Sequence, residues 1–250
     1  MEFTIVYYLK LIKLINKMNF VKYKTLSFFI ICIFLNTLTF AQNKKKLDIN
    51  FIGNYNGNNL ILNQFYKLDS TKADSISFSA IKFYISNISL LNDDKKVLDL
   101  KNVYHLIDLK NKTSFKLSIP VNFHYNTIQF NIGIDSITNS KGVLGGDLDP
   151  TKGMYWTWHS GYINLKIEGN SNLCSTRNNQ FQFHLGGYKS PFNSLQEINL
   201  TLKNKTKVDI DVDLYKLIST INLSNVNHIM TPSSDAKSLS QLATTMFSIK

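Results

Sequence analysis

The chain is short of the residues that staple or punctuate a fold. In 250 residues it has two cysteines, four prolines and eleven glycines. Cys32 lies in an N-terminal apolar run, so an exported product keeps only Cys174 and has no internal disulfide. A lone cysteine in such a protein is either buried and inert or a soft metal ligand, and burial is the favoured reading. Arg177 is the one arginine. Proteins that read nucleic acid lean on arginine forks for bidentate contacts, and no basic helix or arginine cluster is present, so that class is set aside. A nucleophile elbow, a phosphate loop, a zinc-protease motif and a CxxC pair are all missing, which leaves hydrolase and thiol-redox chemistry without a motif. Five histidines occur, none paired at a recognised metal-motif spacing.

The N-terminus reads as an address. From Met18 a basic stretch (Lys22, Lys24) leads into the apolar run Leu26–Phe40 and then to Ala41-Gln42, with Thr39 and Ala41 where small residues are needed for cleavage. This is the pattern of a secretory signal peptide, with residues 1–17 as an upstream extension and Met18 as the true start. The apolar run is shorter than the roughly 20 residues a spanning helix requires, so no lasting membrane span is expected after cleavage. Five lysines and one glutamate leave with residues 1–41; the 209 residues that remain hold 23 basic and 16 acidic side chains, a net of +7. Residues 42–250 are long enough for one sizeable core, and with no Pro/Ser linker and no repeat they are expected to form a single domain.

That domain reads as β. Ile128, Phe130, Ile132 and Ile134 alternate with polar or glycine positions, as do Ile163, Leu165 and Ile167, then Phe181, Phe183 and Leu185, then Ile198, Leu200 and Leu202, then Val208, Ile210 and Val212. A period of two places one face on a core and one outward. Between Ile85 and Ile88 the phase flips, which predicts a bulge at Ser86-Asn87. Turns are expected at Asn56-Gly57-Asn58, Asn92-Asp93-Asp94, Asn139–Gly142 and Gly169-Asn170-Ser171. About eight to ten strands with short polar turns indicate a mainly β fold, an antiparallel β-sandwich with long loops. Helix is scarce: a short turn at 214–218, and a C-terminal helix capped near Ser233 with Ala236, Leu239, Leu242 and Met246 on one face.

Both tryptophans fall in one run between Gly145 and Tyr162. Taken as a strand, it puts Met154, Trp156 and Trp158 on one face and Tyr155, Thr157 and His159 on the other. Two readings stand. The indoles plug the sandwich, as a tryptophan does in many such folds. Alternatively they form a redox or metal site, because indole is easily oxidised and Gly153 and Gly161 let another group approach the backbone. His184 follows core-facing Phe181 and Phe183 and precedes Leu185, so it is expected to point away from the core, at the surface. It is either a hydrogen-bonded loop residue or a ligand. Copper is the metal best suited to imidazole and thioether, with His159 as a second ligand and Met154 and Cys174 as further ones. Asp147 and Asp149 share a tight loop; a turn is favoured over calcium, which wants six or more oxygens.

Gly146-Asp147-Leu148-Asp149-Pro150, Gly153-Met154-Tyr155-Trp156-Thr157-Trp158, Ser160-Gly161-Tyr162, Glu168-Gly169 and Phe183-His184-Leu185-Gly186 together resemble the MbnP-like family, as do Phe83–Asn87 and Phe130–Asp135. The likeness spans residues 47–248. It implies an exported, mostly β protein of the periplasm or cell envelope, itself not an enzyme, that binds copper. It also implies a di-haem partner related to bacterial cytochrome c peroxidases, which oxidises a tryptophan to kynurenine that helps hold the metal. By resemblance Trp156 or Trp158 is the oxidised residue and His184 the first metal ligand, with His159 and Met154 as candidates beside it. Tyr155, Tyr162, Asp147, Asp149 and Glu168 are expected to surround that site. The alternative is a ligand-binding or structural β-module of the cell envelope whose aromatic cluster is a recognition patch or core plug. If the export reading holds, N-terminal sequencing of protein collected outside the cytoplasm will begin at Gln42; a sequence that begins upstream of Leu26 overturns it.

Overall fold

Asparagine and glycine set the corners of this chain. The computed structural model describes residues 10, 12–14, 17, 45–68, 73–158, 161–202 and 205–250. They fall in two compact units, Met1–Lys45 and Lys46–Lys250. In the first, Lys10, Ile12–Leu14 and Lys17 are helical and exposed, and the rest of the expected signal segment lies outside the described residues. Among the described residues no helix is long and apolar enough to cross a membrane.

The second unit begins with β1 (Lys46–Tyr55), β2 (Asn58–Asn59), β3 (Phe65–Lys67), the 18-residue β4 (Ser75–Asn92) and β5 (Lys95–Asp108). Asn56 and Gly57 sit at φ 50° and 82°, and Asp93 and Asp94 at 48° and 62°. Two successive positive φ values match the twist of antiparallel strands, and Asn, Asp and Gly tolerate them best. There follow β6 (Lys116–Pro120), β7 (Thr127–Ile132), α1 (Ser136–Ser140), β8 (Tyr155–Trp156), β9 (Gly161–Ser171) and β10 (Gln180–Gly186). The chain closes with β11 (Gln196–Thr201), β12 (Lys207–Asp213), α2 (Leu214–Ile218), β13 (His228–Ile229), α3 (Ser234–Ala243) and β14 (Phe247–Ile249).

The strands form two sheets. One runs β14-β12-β1-β2 with β6 also on β1; the other runs β11-β7-β4-β9-β10-β13 with β3 and β5 on β4 and β8 on β9. The fold is mainly β and sandwich-like, with the short C-terminal helix expected. Most pairs are antiparallel, but β1 with β12 and β10 with β13 are parallel. Between the sheets lies the main core, built on Phe51, Phe78, Phe83, Phe130, Phe181 and Ile210. Cys174 is buried in it, and burial pushes its thiol up from its ordinary value.

Three expected details are corrected. First, alternation does not run through Ile134 and Ile163. Both leave the main core for a second, smaller one on the outer face of the larger sheet, with Tyr84, Leu106, Leu148, Met154, Trp156 and Tyr162. The cause is a paired irregularity. β9 carries an extra residue, Asn164, where Leu185 pairs Leu165 but Gly186 pairs Ile163, and Gly133 turns out of β7 at φ 108°. The buried Asn164 ties them, accepting from Ile134 N at 3.0 Å and donating to Ser194 Oγ at 2.9 Å. Second, Gly169-Asn170-Ser171 is not a turn but the end of β9. Gly169 is there because a Cβ would run into the Ser77 carbonyl and lie 2.7 Å from the Phe181 ring. Third, Leu242 points to solvent, while Ala236 and Leu239 are buried. The bulge near Asn87 is present, with Asn87 at φ 49° and the ladder shifting between Ser86 and its neighbours. Gly169→Ala is expected to lower stability by about 3 kcal/mol, measured by urea unfolding, because backbone and an aromatic core ring both have to shift.

Candidate functional site

The segment between α1 and β9 is laid over the outer face of the larger sheet, and the second core seals the joint. Its path follows from local chemistry. Asp149 accepts from Thr151 N and caps a single 3-10 turn, Pro150–Lys152, whose first position suits proline. Gly153 then ends the turn at φ 72°, the left-handed conformation that glycine adopts without strain. Asp147 is fixed by three groups: Lys152 Nζ, Leu106 N at 3.0 Å and His105 Nδ1 at 3.5 Å. Burial acts to raise its carboxyl, but the bonds from Lys152 and Leu106 and the nearby charges overcome this and hold it below the usual range. Hydrogen bonding by Thr151 lowers Asp149. Both aspartates therefore serve the turn.

The tryptophan run is a hairpin, not one long strand. β8 is two residues: Tyr155 pairs Tyr162 and Trp156 pairs Gly161, and Thr157-Trp158 turn away from its end. The expected common face is thereby split. Met154 is 0 % exposed and Trp156 3 %, both in the second core, whereas Trp158 is 60 % exposed. The two indole centroids are 5.6 Å apart at 43°. The Trp156 ring lies on Gly186, where a Cβ would meet it at 2.6 Å. Tyr155 packs edge-on against Tyr162 at 4.9 Å, and Tyr162 against Tyr84 at 6.0 Å. Burial raises the phenols of Tyr84 and Tyr162. The Tyr162 hydroxyl receives Leu144 N, and the Tyr84 hydroxyl donates to the Asp147 carbonyl.

His184 is on the outer face, as expected, but it is not at the surface: it is 5 % exposed. The overlying hairpin is absent from any strand-by-strand reading, which is why alternation gives the right face and the wrong exposure. Nε2 of His184 stands 2.7 Å from Glu168 Oε1. A carboxylate accepts, so Nε2 carries the hydrogen, and in the neutral ring Nδ1 is left as a bare lone pair. That nitrogen is buried with no hydrogen-bond partner. The bond from His184 is the first reason the Glu168 carboxyl is held below its usual range, with Lys166 adding to it against burial. Gly186, under Trp156, is two residues along the same face, about 7 Å from His184.

Trp156 and His184 thus lie over one face of β10, and Glu168 is bonded to His184. Met154 is a core side chain of the second cluster. His159 and Ser160 lie outside the described residues. Among the described residues no three His, Cys, Asp or Glu side chains converge as a metal site. Sequence reasoning missed the part played by Lys82 and Lys166, which reach carbonyls of the covering segment; the signal was a pair of lysines at outward positions between core-facing residues of their strands.

Glu168 gives a pH test. A carboxyl held low in the fold stabilises fully above its ordinary range, and that contribution is lost as pH falls through the folded-state value. Wild type is therefore expected to exceed Glu168→Gln by about 1 kcal/mol at pH 7, the gap closing as pH falls below the ordinary glutamate range in urea titrations. A gap that widens on acidification contradicts this.

The sequence matches the MbnP family over residues 44–231. Among solved structures, the chain is similar to MbnP from Methylosinus trichosporium, with a TM-score of 0.50 and 12 % identity over 75 % of this chain and 82 % of that one. No curated protein matches the sequence.

Proposed function

This chain belongs to the MbnP family, and on that premise we propose that it is an exported copper-binding protein and the substrate, not the catalyst, of a di-haem oxidase that modifies a tryptophan. The observation that carries this reading is the buried Nδ1 of His184, without a hydrogen-bond partner, two residues along β10 from the Gly186 on which the Trp156 ring lies. A buried lone pair with no hydrogen-bond donor is costly unless something else takes it up. Glu168 on Nε2 is the arrangement that fixes the tautomer and raises the basicity of a metal-binding imidazole. Imidazole suits copper, so the residue present fits the group as one ligand. Copper, when bound, would supply a soft Lewis-acidic centre in the envelope. The chain's own part is to orient the ring, exclude water with the second core, and present Trp158 outward.

The two indoles have different work in this reading. Trp158 faces solvent and stands in ring contact with Trp156, so it is the group a haem partner meets first. Trp156 lies over Gly186, on the same face of β10 as His184, which supports Trp156 as the ring whose oxidised product joins Nδ1. Intact-mass measurement of protein from its native host tests this. One oxygen gained and one carbon lost, mapped to Trp156 and absent in Trp156→Phe, is the expected result; an unmodified mass with no copper taken up from a stoichiometric supply ends the proposal. His184→Ala is expected to weaken copper binding at least about 100-fold. If the cluster is instead the recognition patch of a cell-envelope module, that variant keeps its ligand.

A further inference from the structure

The outer face of the larger sheet carries an unusual cross-strand row. Asp108 pairs Lys82, Lys82 pairs Lys166, and Lys166 pairs His184, so β5, β4, β9 and β10 contribute one residue each. Two lysines directly opposite one another are unfavourable unless something shares their charge. Each has the same two kinds of acceptor. Lys82 Nζ reaches Asp108 Oδ2 at 3.0 Å and donates to the Lys152 carbonyl at 3.0 Å. Lys166 Nζ reaches Glu168 Oε1 at 3.2 Å and donates to the Gly153 carbonyl at 3.3 Å. These are consecutive carbonyls at the C-terminal end of the Pro150–Lys152 turn, the end where carbonyls lack partners and cations are favoured. Both ammonium groups are largely covered.

We propose that Lys82 and Lys166 are positioning residues that clamp the tryptophan segment onto the sheet, and that Lys166 transmits occupancy of His184 Nδ1 to that segment. The second part rests on the metal-binding reading above; the first does not. The coupling runs through one oxygen. Glu168 Oε1 accepts from His184 Nε2 at 2.7 Å and also holds Lys166. A cation on Nδ1 draws electron density from the ring, which strengthens the Nε2–H bond to Oε1. Oε1 then holds Lys166 less strongly, and the ammonium turns to Gly153 O, where a 3.3 Å contact has room to shorten. A cation at His184 therefore tightens the turn that leads into Met154, Tyr155 and Trp156.

Hydrogen exchange read by mass spectrometry over residues 145–156 tests both parts, with Zn2+ as the cation because it has no redox chemistry. Without metal, Lys82→Met and Lys166→Met are each expected to exchange about tenfold faster over this segment, the size of one charge-assisted hydrogen bond, while exposed Lys95→Met matches wild type. Lys166→Arg, which keeps charge and donors, is expected to restore most of the protection, and a thermal melt of each variant separates local loosening from failure to fold. Exchange in Lys166→Met equal to wild type overturns the clamp. With Zn2+, the segment is expected to slow in wild type and in Lys82→Met but not in Lys166→Met. Calorimetric titration of wild type separates the two failures: zinc not taken up counts against the metal-binding reading, whereas zinc taken up with no slowing overturns the coupling.

Discussion

Strand β9 is covered on both faces over its first half, and the site follows from that constraint. One face of the larger sheet closes the main core against the smaller sheet. The other would be a solvated face in most sandwiches, but here Tyr84, Leu106, Tyr162 and Ile163 make it apolar, so a segment of chain has to cover it. The covering segment is the one with the tryptophans. Burial of that second patch is what turns an outward-facing histidine into an enclosed one, and enclosure is what makes its unpartnered nitrogen significant.

The two indoles have different surroundings. Trp156 plugs the second core; Trp158, two residues on, is open to solvent, still in ring contact with it. A single buried indole would be inaccessible to a protein partner, and a single exposed one would be remote from His184. The pair runs from an exposed indole to a buried one that lies on Gly186, on the same sheet face as His184.

Most of the described polar groups around the site are satisfied before anything binds. Asp147, Asp149, Tyr84, Tyr162 and Glu168 all have partners that fix the loop or the imidazole. The lysine row adds two ammonium groups that meet carbonyls the turn itself leaves open. Against that background the Nδ1 of His184 is buried with no hydrogen-bond partner.

Alternation made β7, β9, β10, β11 and β12 legible, and with them the sandwich, because a side chain's face depends only on its own strand's period. Asn-Gly and Asp-Asp made hairpin corners legible, and the phase flip made the Asn87 bulge legible, since both are properties of a few adjacent residues. The short motif carrying Trp156 and His184 was legible as well. What the residues could not specify was register and cover. The extra residue at Asn164, the exit at Gly133 and the conversion of an expected turn at Gly169 into strand all depend on which strand lies alongside. The burial of His184, the separate fates of the two indoles and the meeting of Lys82 with Lys166 depend on a segment folding back over a sheet whose strands are far apart in sequence. Pattern along one strand fixes direction; only the packing of several strands and a loop fixes what each side chain meets.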